Sequence, residues 1–172
     1  MLAAVITAET AQDAVKDAKK AKNADLIEVR LDHIKGLKEW DLKKIIKNCK
    51  KPLIITNRKK TEGGFFIGDE NKRIEILKSA IKLGVDYIDV ECSSEKNAIK
   101  NLIENKNKTK IIISYHNFKE TPDNIKNIYN DLKRLNPDII KIATNANSVT
   151  DNFKIFDLIK RANKEQRSLI AF

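Results

Sequence analysis

The sequence predicts a parallel β/α barrel formed by a single domain over residues 1–172. Short apolar runs rich in β-branched residues recur seven times, and longer segments with apolar residues every three or four positions separate them. This alternation is typical of βαβ units and a parallel sheet. Charged or polar side chains also share one face of five of the short runs, which favours a barrel with a polar layer over an open sheet.

The predicted strands are four to six residues long and cover residues 2–7, 26–31, 53–56, 87–92, 111–115, 139–144 and 168–172. The segments between them predict amphipathic helices, each with one buried face. Two apolar stripes are especially clear: Ile74, Leu77, Ala80 and Ile81, and Ile125, Ile128, Leu132 and Leu135.

Several element boundaries follow from residue chemistry. Thr121 and Pro122 predict the start of a helix. The hydroxyl of Thr121 can cap the helix, and proline is favoured in the first helical turn. Gly84 follows an apolar stripe and can adopt the left-handed conformation that ends a helix. Pro52 and Pro137 stand just before strands, where the missing N–H does little harm.

An open, doubly wound sheet is the competing architecture. Its nucleotide-binding members carry a glycine-rich turn after the first strand, whereas residues 7–10 contain no glycine. In a barrel, the C-terminal ends of the strands line the active site. The polar residues that share a strand face are Glu28, Arg30 and Asp32; Thr56 and Arg58; Asp89 and Glu91; Ser114 and His116; and Lys141, which shares its face with Ala143.

Each of these residues also has a purely structural interpretation. The charged residues of segment 28–32 can form a buried ion network that only specifies the fold. Asp89 and Glu91 can mark a strand end that meets solvent, and His116 can be a hydrogen-bonded polar residue without a catalytic role.

Lys141 is harder to explain structurally, because it lies within the apolar run 139–143. A buried ammonium survives by pairing or by losing its proton. A desolvated lysine near other cations has a lowered pKa and becomes a nucleophile toward carbonyl groups. Arg30 and Arg58 are the candidate cations.

The composition limits the functional classes. The net charge of +10 favours an anionic ligand, but the lysines alternate with acidic residues and no basic stripe with interleaved aromatics occurs. We therefore expect a solvated basic surface and no nucleic-acid binding. Cys49 and Cys92 form no disulfide framework or zinc motif, and no apolar stretch is long enough for a secretory signal or a membrane span. These features predict a cytoplasmic protein.

Five motifs in order along the chain resemble one family, the type I 3-dehydroquinate dehydratases of the shikimate pathway. Any one of the motifs is weak, but their order and spacing make the set specific. They are EVRLD at 28–32, RKKTEGG at 58–64, YIDVE at 87–91, SYHNF at 114–118 and KIA at 141–143.

The resemblance implies a syn elimination of water from 3-dehydroquinate to give 3-dehydroshikimate. Lys141 is similar to the lysine that forms a Schiff base with the substrate ketone, and His116 to the general acid and base. Glu62 is similar to the carboxylate that orients His116. Metals and cofactors are not implied, because the protonated imine serves as the electron sink.

The resemblance also concerns binding and assembly. Glu28, Arg30 and Arg58 are similar to the residues that hold the substrate hydroxyls. Gly63 and Gly64 are either hinges of a loop over the site or parts of an ordinary turn. The family suggests a homodimer.

The chain stops in the seventh predicted strand, whereas the family has an eight-stranded (β/α)₈ TIM barrel with further helices and a loop arginine for the substrate carboxylate. We therefore expect a truncated chain that lacks the C-terminal part, with open edges at its first and last strands. Three alternatives remain open: another Schiff-base barrel enzyme of the aldolase type, a basic nucleic-acid-binding module, and an inactive fragment.

Overall fold

The computed structural model describes residues 2–172, which form a sheet of seven parallel strands in sequence order. The strands are β1 (Ala3–Ile6), β2 (Leu26–Arg30), β3 (Leu53–Thr56), β4 (Tyr87–Glu91), β5 (Lys110–Asn117), β6 (Ile139–Thr144) and β7 (Leu169–Ala171). The helices between them are α1 (Ala11–Lys20), α2 (Glu39–Asn48), α3 (Glu70–Lys82), α4 (Lys96–Glu104), α5 (Ile125–Arg134) and α6 (Val149–Lys164).

Each strand pairs in parallel with the next strand along the chain, and one helix lies in every connection. Within residues 2–172, β1 and β7 each pair with one neighbouring strand only, so the sheet does not close on itself. This is the strand order of a (β/α)₈ barrel over seven of its strands, which confirms the predicted fold class.

All seven predicted strands are present, with small differences at their ends. β5 is longer than predicted and includes His116. β2 ends one residue early because Leu31 begins a 3₁₀ turn, Leu31–His33. A second 3₁₀ turn, Lys60–Glu62, follows β3.

The apolar stripes predicted for α3 and α5 are confirmed, since their residues are buried or pack against the core. The stripe 74–81 faces the core, and Gly84 takes the left-handed conformation after α3, with φ of 78°. The cap predicted at Thr121 is wrong, because α5 begins at Ile125. The Thr121 hydroxyl instead contacts the Thr144 hydroxyl and donates to the Asn145 carbonyl oxygen, so it ties the loop before α5 to the end of β6.

The inner face of the sheet changes from apolar to polar over one pleat. Two residues after each apolar side chain, the same strand carries a polar one on the same face. The apolar layer is Leu26, Ile54, Tyr87, Ile112 and Ile139, and the polar layer is Glu28, Thr56, Asp89, Ser114 and Lys141. The outer face of the strands packs its apolar residues against the helices in one continuous core.

Residues 2–172 form no metal-binding cluster, no membrane-spanning helix and no disulfide bond. Among residues 2–172, no cluster of three or more His, Cys, Asp or Glu side chains is arranged to hold a metal ion. In the same range, every helix is too short or too polar to cross a membrane. Cys49 and Cys92 are free thiols.

Candidate active site

Lys141 lies in the polar layer, and the residue is 8% exposed. Its Nζ atom donates a hydrogen bond of 3.0 Å to Asp89 Oδ2 and lies 3.5 Å from Glu28 Oε2. Thr56 donates to the other oxygen of Glu28 over 2.8 Å, which holds that carboxylate in place. The lysine is therefore buried as one member of a charged cluster drawn from β2, β4 and β6.

The electrostatic surroundings of Lys141 differ from those that we predicted. Burial acts to lower the pKa of Lys141, but the negative charges of Asp89 and Glu28 outweigh it and hold this pKa above its usual value. Arg58 opposes them only in part. The expectation of a lowered pKa is wrong, because the charges nearest the amine are carboxylates.

Arg58 is the centre of the cluster and is only 3% exposed. Its guanidinium lies 2.9 Å from Asp89 and 3.2 Å from Glu91, and it donates to the Ser114 hydroxyl over 2.8 Å. Ser114 in turn donates to the second oxygen of Asp89 over 2.6 Å. Burial acts to lower the pKa of Arg58, but the negative charges of Asp89 and Glu91 outweigh it and raise this pKa. The guanidinium therefore stays charged and fixes the Asp89 carboxylate.

His116 and Glu62 form the second part of the site. His116 Nδ1 lies 3.0 Å from Glu62 Oε2, and the other oxygen of Glu62 accepts a short hydrogen bond from the Ser93 hydroxyl. Burial acts to raise the pKa of Glu62, but the bonds from His116 and Ser93 bring it below its ordinary value. Glu62 is thus an ionised hydrogen-bond acceptor for the imidazole.

The register of β5 and β6 relates the two parts of the site. Ser114 pairs with Lys141, and His116 pairs with Ala143, two residues further along. His116 is therefore on the strand next to Lys141 and one layer closer to the C-terminal end. The predicted residues Lys141, His116 and Glu62 all lie at the same end of the sheet.

Arg30 does not belong to the lysine cluster. It makes a two-point contact with Asp32, with hydrogen bonds of 2.9 and 2.7 Å, and its side chain is 17% exposed. Asp32 also accepts from the backbone N–H groups of Arg58 and Phe65, so it ties the segment after β3 to the end of β2. Arg30 is thus not one of the cations beside Lys141, contrary to the prediction.

The acidic residues of β4 are the main correction to the sequence-based interpretation. Asp89 and Glu91 are fully buried, so the idea that they meet solvent at a strand end is wrong. Glu91 accepts from the Lys59 backbone N–H over 3.0 Å and is 2.6 Å from Arg73 Nη1. Burial raises the pKa of Glu91, while Arg58 and Arg73 act in the opposite direction.

Two residues near the site were not predicted. Ser93 continues the alternation of Asp89 and Glu91 by two more residues, and this signal was available in the sequence. Arg73 has 0% exposure inside α3, where it also pairs with Glu70 and donates to the Ser94 hydroxyl. A lysine- and glutamate-rich helix start gave no sign that this arginine is buried.

Gly63 and Gly64 shape the turn that carries Glu62. Gly63 has a left-handed φ of 74°, and a Cβ atom added to Gly64 would lie 2.1 Å from the Arg58 carbonyl oxygen. The Gly64 N–H donates to the Lys59 carbonyl oxygen over 2.9 Å. These contacts account for both glycines as parts of a tight turn.

Comparison with known proteins identifies the family of the chain. A model of the family described as type I 3-dehydroquinase matches residues 2–172. The 3-dehydroquinate dehydratase of Methanococcus vannielii is 41% identical over 165 residues, which cover 94% of this chain and 74% of that protein. The bifunctional 3-dehydroquinate dehydratase/shikimate dehydrogenase of Arabidopsis thaliana is 37% identical over 168 residues, which cover 94% of this chain and 28% of the plant protein.

Solved structures agree at the level of the fold. The crystal structure of the 3-dehydroquinate dehydratase from Aquifex aeolicus matches with a TM-score of 0.77 at 29% identity, over 100% of this chain and 80% of that one. The match of the family model to nearly the whole chain, together with relatives above 30% identity, shows that this chain belongs to the type I 3-dehydroquinase family.

Proposed function

We propose that the protein dehydrates 3-dehydroquinate to 3-dehydroshikimate through a Schiff base on Lys141, with His116 as general acid and base. The observation that carries this proposal is the placement of a buried, carboxylate-paired lysine one layer below a histidine on the adjacent strand. The family of the chain and its dehydratase relatives support the reaction class.

The carboxylates beside Lys141 fit the formation of an imine. The amine must first lose a proton, and Asp89 and Glu28 are the acceptors within 3.0 and 3.5 Å of Nζ. Attack on the ketone then forms a carbon–nitrogen bond and releases one water. The protonated imine is a cation in the position of the former ammonium, so the same carboxylates that raise the pKa of Lys141 stabilise it.

His116 is suited to the proton transfers that follow. If its Nδ1–H donates to Glu62, its Nε2 carries the free lone pair that removes the proton from the carbon beside the imine. The resulting enamine expels the hydroxyl two carbons from the imine. His116 returns the proton to that leaving hydroxide, and one water then hydrolyses the imine and frees Lys141.

For substrate binding we propose Glu28 and Arg30 as direct contacts, and Arg58 as the residue that positions Asp89. Glu28 is in the layer of Lys141, and Arg30 keeps part of its guanidinium exposed at the rim. Arg58 is almost fully engaged by Asp89, Glu91 and Ser114, which favours a role in holding Asp89 against the substrate rather than a free contact.

Other aspects of the function are also proposals. We infer that the reaction needs no metal or cofactor, since the imine provides the electron sink. A homodimer rests on the resemblance, and the absence of nucleic-acid partners rests on the charge pattern of the sequence. A cytoplasmic location rests on two cysteines that form no disulfide framework.

Borohydride trapping tests the proposed chemistry. Reduction in the presence of 3-dehydroquinate should leave a covalent adduct whose mass maps to Lys141, and Lys141→Ala should give neither adduct nor turnover. Lys160→Ala, on the exposed side of α6, is the matched control and should behave as the wild type. Turnover retained in Lys141→Ala would overturn the proposal.

A further inference from the structure

Glu62 is held at both of its carboxylate oxygens, although the mechanism above uses only one. Oε2 faces His116 Nδ1 at 3.0 Å, and Oε1 accepts the hydrogen bond of the Ser93 hydroxyl. Ser93 belongs to the turn that follows β4, and the Ser94 N–H closes this turn by donating to the Glu91 carbonyl oxygen over 3.0 Å. The hydroxyl therefore comes from a rigid strand end and not from the 3₁₀ turn that carries Glu62.

Lys59 determines the direction of the Ser93 hydroxyl. Its Nζ atom lies 3.4 Å from Ser93 Oγ and 3.1 Å from Glu70 Oε1. An ammonium group has donors and no acceptor, so Ser93 accepts from Lys59 and its own proton is left for Glu62. The contacts thus run from Glu70 through Lys59 and Ser93 to Glu62, and end at His116.

We propose that Ser93 is a positioning residue that keeps the Glu62 carboxylate turned toward His116, with Lys59 orienting its hydroxyl. This inference rests on the proposed function, in which Glu62 must accept from Nδ1 so that Nε2 is the basic nitrogen. The terminal torsion of a glutamate is broad and roughly two-fold. A carboxylate that is held at one oxygen can still rotate about this torsion. Ser93 at the end of β4 and His116 on β5 hold both oxygens of Glu62, so its rotation is restricted.

Loss of the Ser93 hydroxyl should affect the chemical step and not the binding of substrate. The hydrogen bond of Ser93 is one of the contacts that lower the pKa of Glu62, so its removal shifts this pKa upward. A partly protonated or rotated Glu62 no longer fixes the imidazole tautomer. The chemical step then slows while substrate contacts are unchanged.

The test compares Ser93→Ala and Ser93→Thr in the full chain. We expect Ser93→Ala to lower kcat about tenfold with KM unchanged within about twofold, and Ser93→Thr to restore activity through its hydroxyl. The Glu62 carboxyl is followed by ¹³C NMR titration with labelled glutamate and is assigned by loss of its signal in Glu62→Gln. It should titrate at higher pH in Ser93→Ala. Ser79→Ala on α3 is the control, because its hydroxyl is outside this set of contacts.

Wild-type kcat and an unchanged carboxyl titration in Ser93→Ala would overturn the inference. If Ser93→Ala does not fold, Lys59→Met decides, since it should lower kcat about threefold and shift the Glu62 titration in the same direction; no change in either would equally overturn it. Failure of the proposed function has a different signature. It appears as absence of dehydratase turnover in the wild type, while the titration still reports on Ser93.

Discussion

Asp89 Oδ2 lies 3.0 Å from Lys141 Nζ and 2.9 Å from the Arg58 guanidinium, so one carboxylate joins two buried cations. Neither cation has lost its charge by burial, because Asp89 compensates both. The buried amine predicted from the sequence is thus present, but its carboxylate partners hold it as an ammonium.

Replacing Asp89 should therefore change the protonation of Lys141. Asp89→Asn removes the nearest negative charge, so the pKa of Lys141 should fall and borohydride trapping should extend to lower pH. The variant should also unfold more easily by about 3–5 kcal/mol, because Arg58 loses a buried partner. The pH dependence of adduct formation and a denaturant titration check both effects. Asp157→Asn, an exposed change on α6, is the control, and an unshifted trapping profile in Asp89→Asn would contradict the prediction.

The pH dependence of stability should include a contribution from Glu70. Burial acts to raise the pKa of Glu70, but Arg73 and Lys59 lower it from 4.5 to about 2. A carboxylate with a lowered pKa in the folded state contributes stability above its unfolded value, and this contribution is lost as the pH falls through the folded value. Glu70→Gln should hence destabilise the protein at pH 7 by about 1 kcal/mol, after allowance for its partial exposure.

This difference between wild type and Glu70→Gln should shrink as the pH falls from about 4.5 to about 2. Thermal melts at a series of pH values measure it. Glu104→Gln, at the exposed end of α4, provides the comparison. A constant difference across this pH range would argue against a charged, paired Glu70.

The turn that carries Glu62 should tolerate no side chain at Gly64. Gly64→Ala places a methyl group against the Arg58 carbonyl oxygen, so the backbone must shift and Glu62 must move with it. We expect a loss of about 1–3 kcal/mol in stability and a large loss of turnover. Gly36→Ala is the matched control, because a Cβ atom added there meets nothing within 4 Å. The only strain in this variant comes from the left-handed φ of 61°. It should cost about 1 kcal/mol and retain activity; equal activity in both variants would refute the prediction.

Arg73 should be a main determinant of stability despite its distance from Lys141. Its contact with Glu91 Oε2 is an ion pair at 2.6 Å without the geometry of a well-directed hydrogen bond. Arg73→Met leaves a buried carboxylate with one cation fewer, and should cost about 3–5 kcal/mol. In a double-mutant cycle, Glu91→Gln should recover part of this loss, as measured by urea unfolding. Simple additivity of the two changes would show that they are not coupled.

The sequence was sufficient to predict the strands and the layer that contains Lys141, because the two-residue period of a strand places side chains independently of distant contacts. It failed where the strands end. The 3₁₀ turn at Leu31 takes Asp32 out of the alternation, so Arg30 turns to Asp32 and away from Lys141. Ser93 continues the alternation of β4 into the following turn, but its contacts with Glu62 and Lys59 join residues that are distant in sequence and leave no local pattern.

Helix positions were predictable as apolar stripes but not as polar contacts. The buried face of α3 follows from its apolar residues, whereas Arg73 is buried only because Glu91 and Glu70 come from elsewhere in the fold to meet it. Likewise, Thr121 does not cap a helix as expected, because its hydroxyl contacts Thr144 and Asn145 from the following strand and loop. Such partners are distant in sequence and leave no local pattern.

The apolar layer beneath Lys141 blocks the approach of water to the amine from the N-terminal ends of the strands. Leu26, Ile54 and Ile112 lie one pleat, roughly 7 Å, toward the N-terminal ends of their strands. Water that approaches from that end meets hydrocarbon, whereas the other end presents His116 and the charged rim. The water that forms when the imine is made, and the water that later hydrolyses it, would then use the same entrance as the substrate. His116, the proposed general acid and base, lies at that entrance on β5.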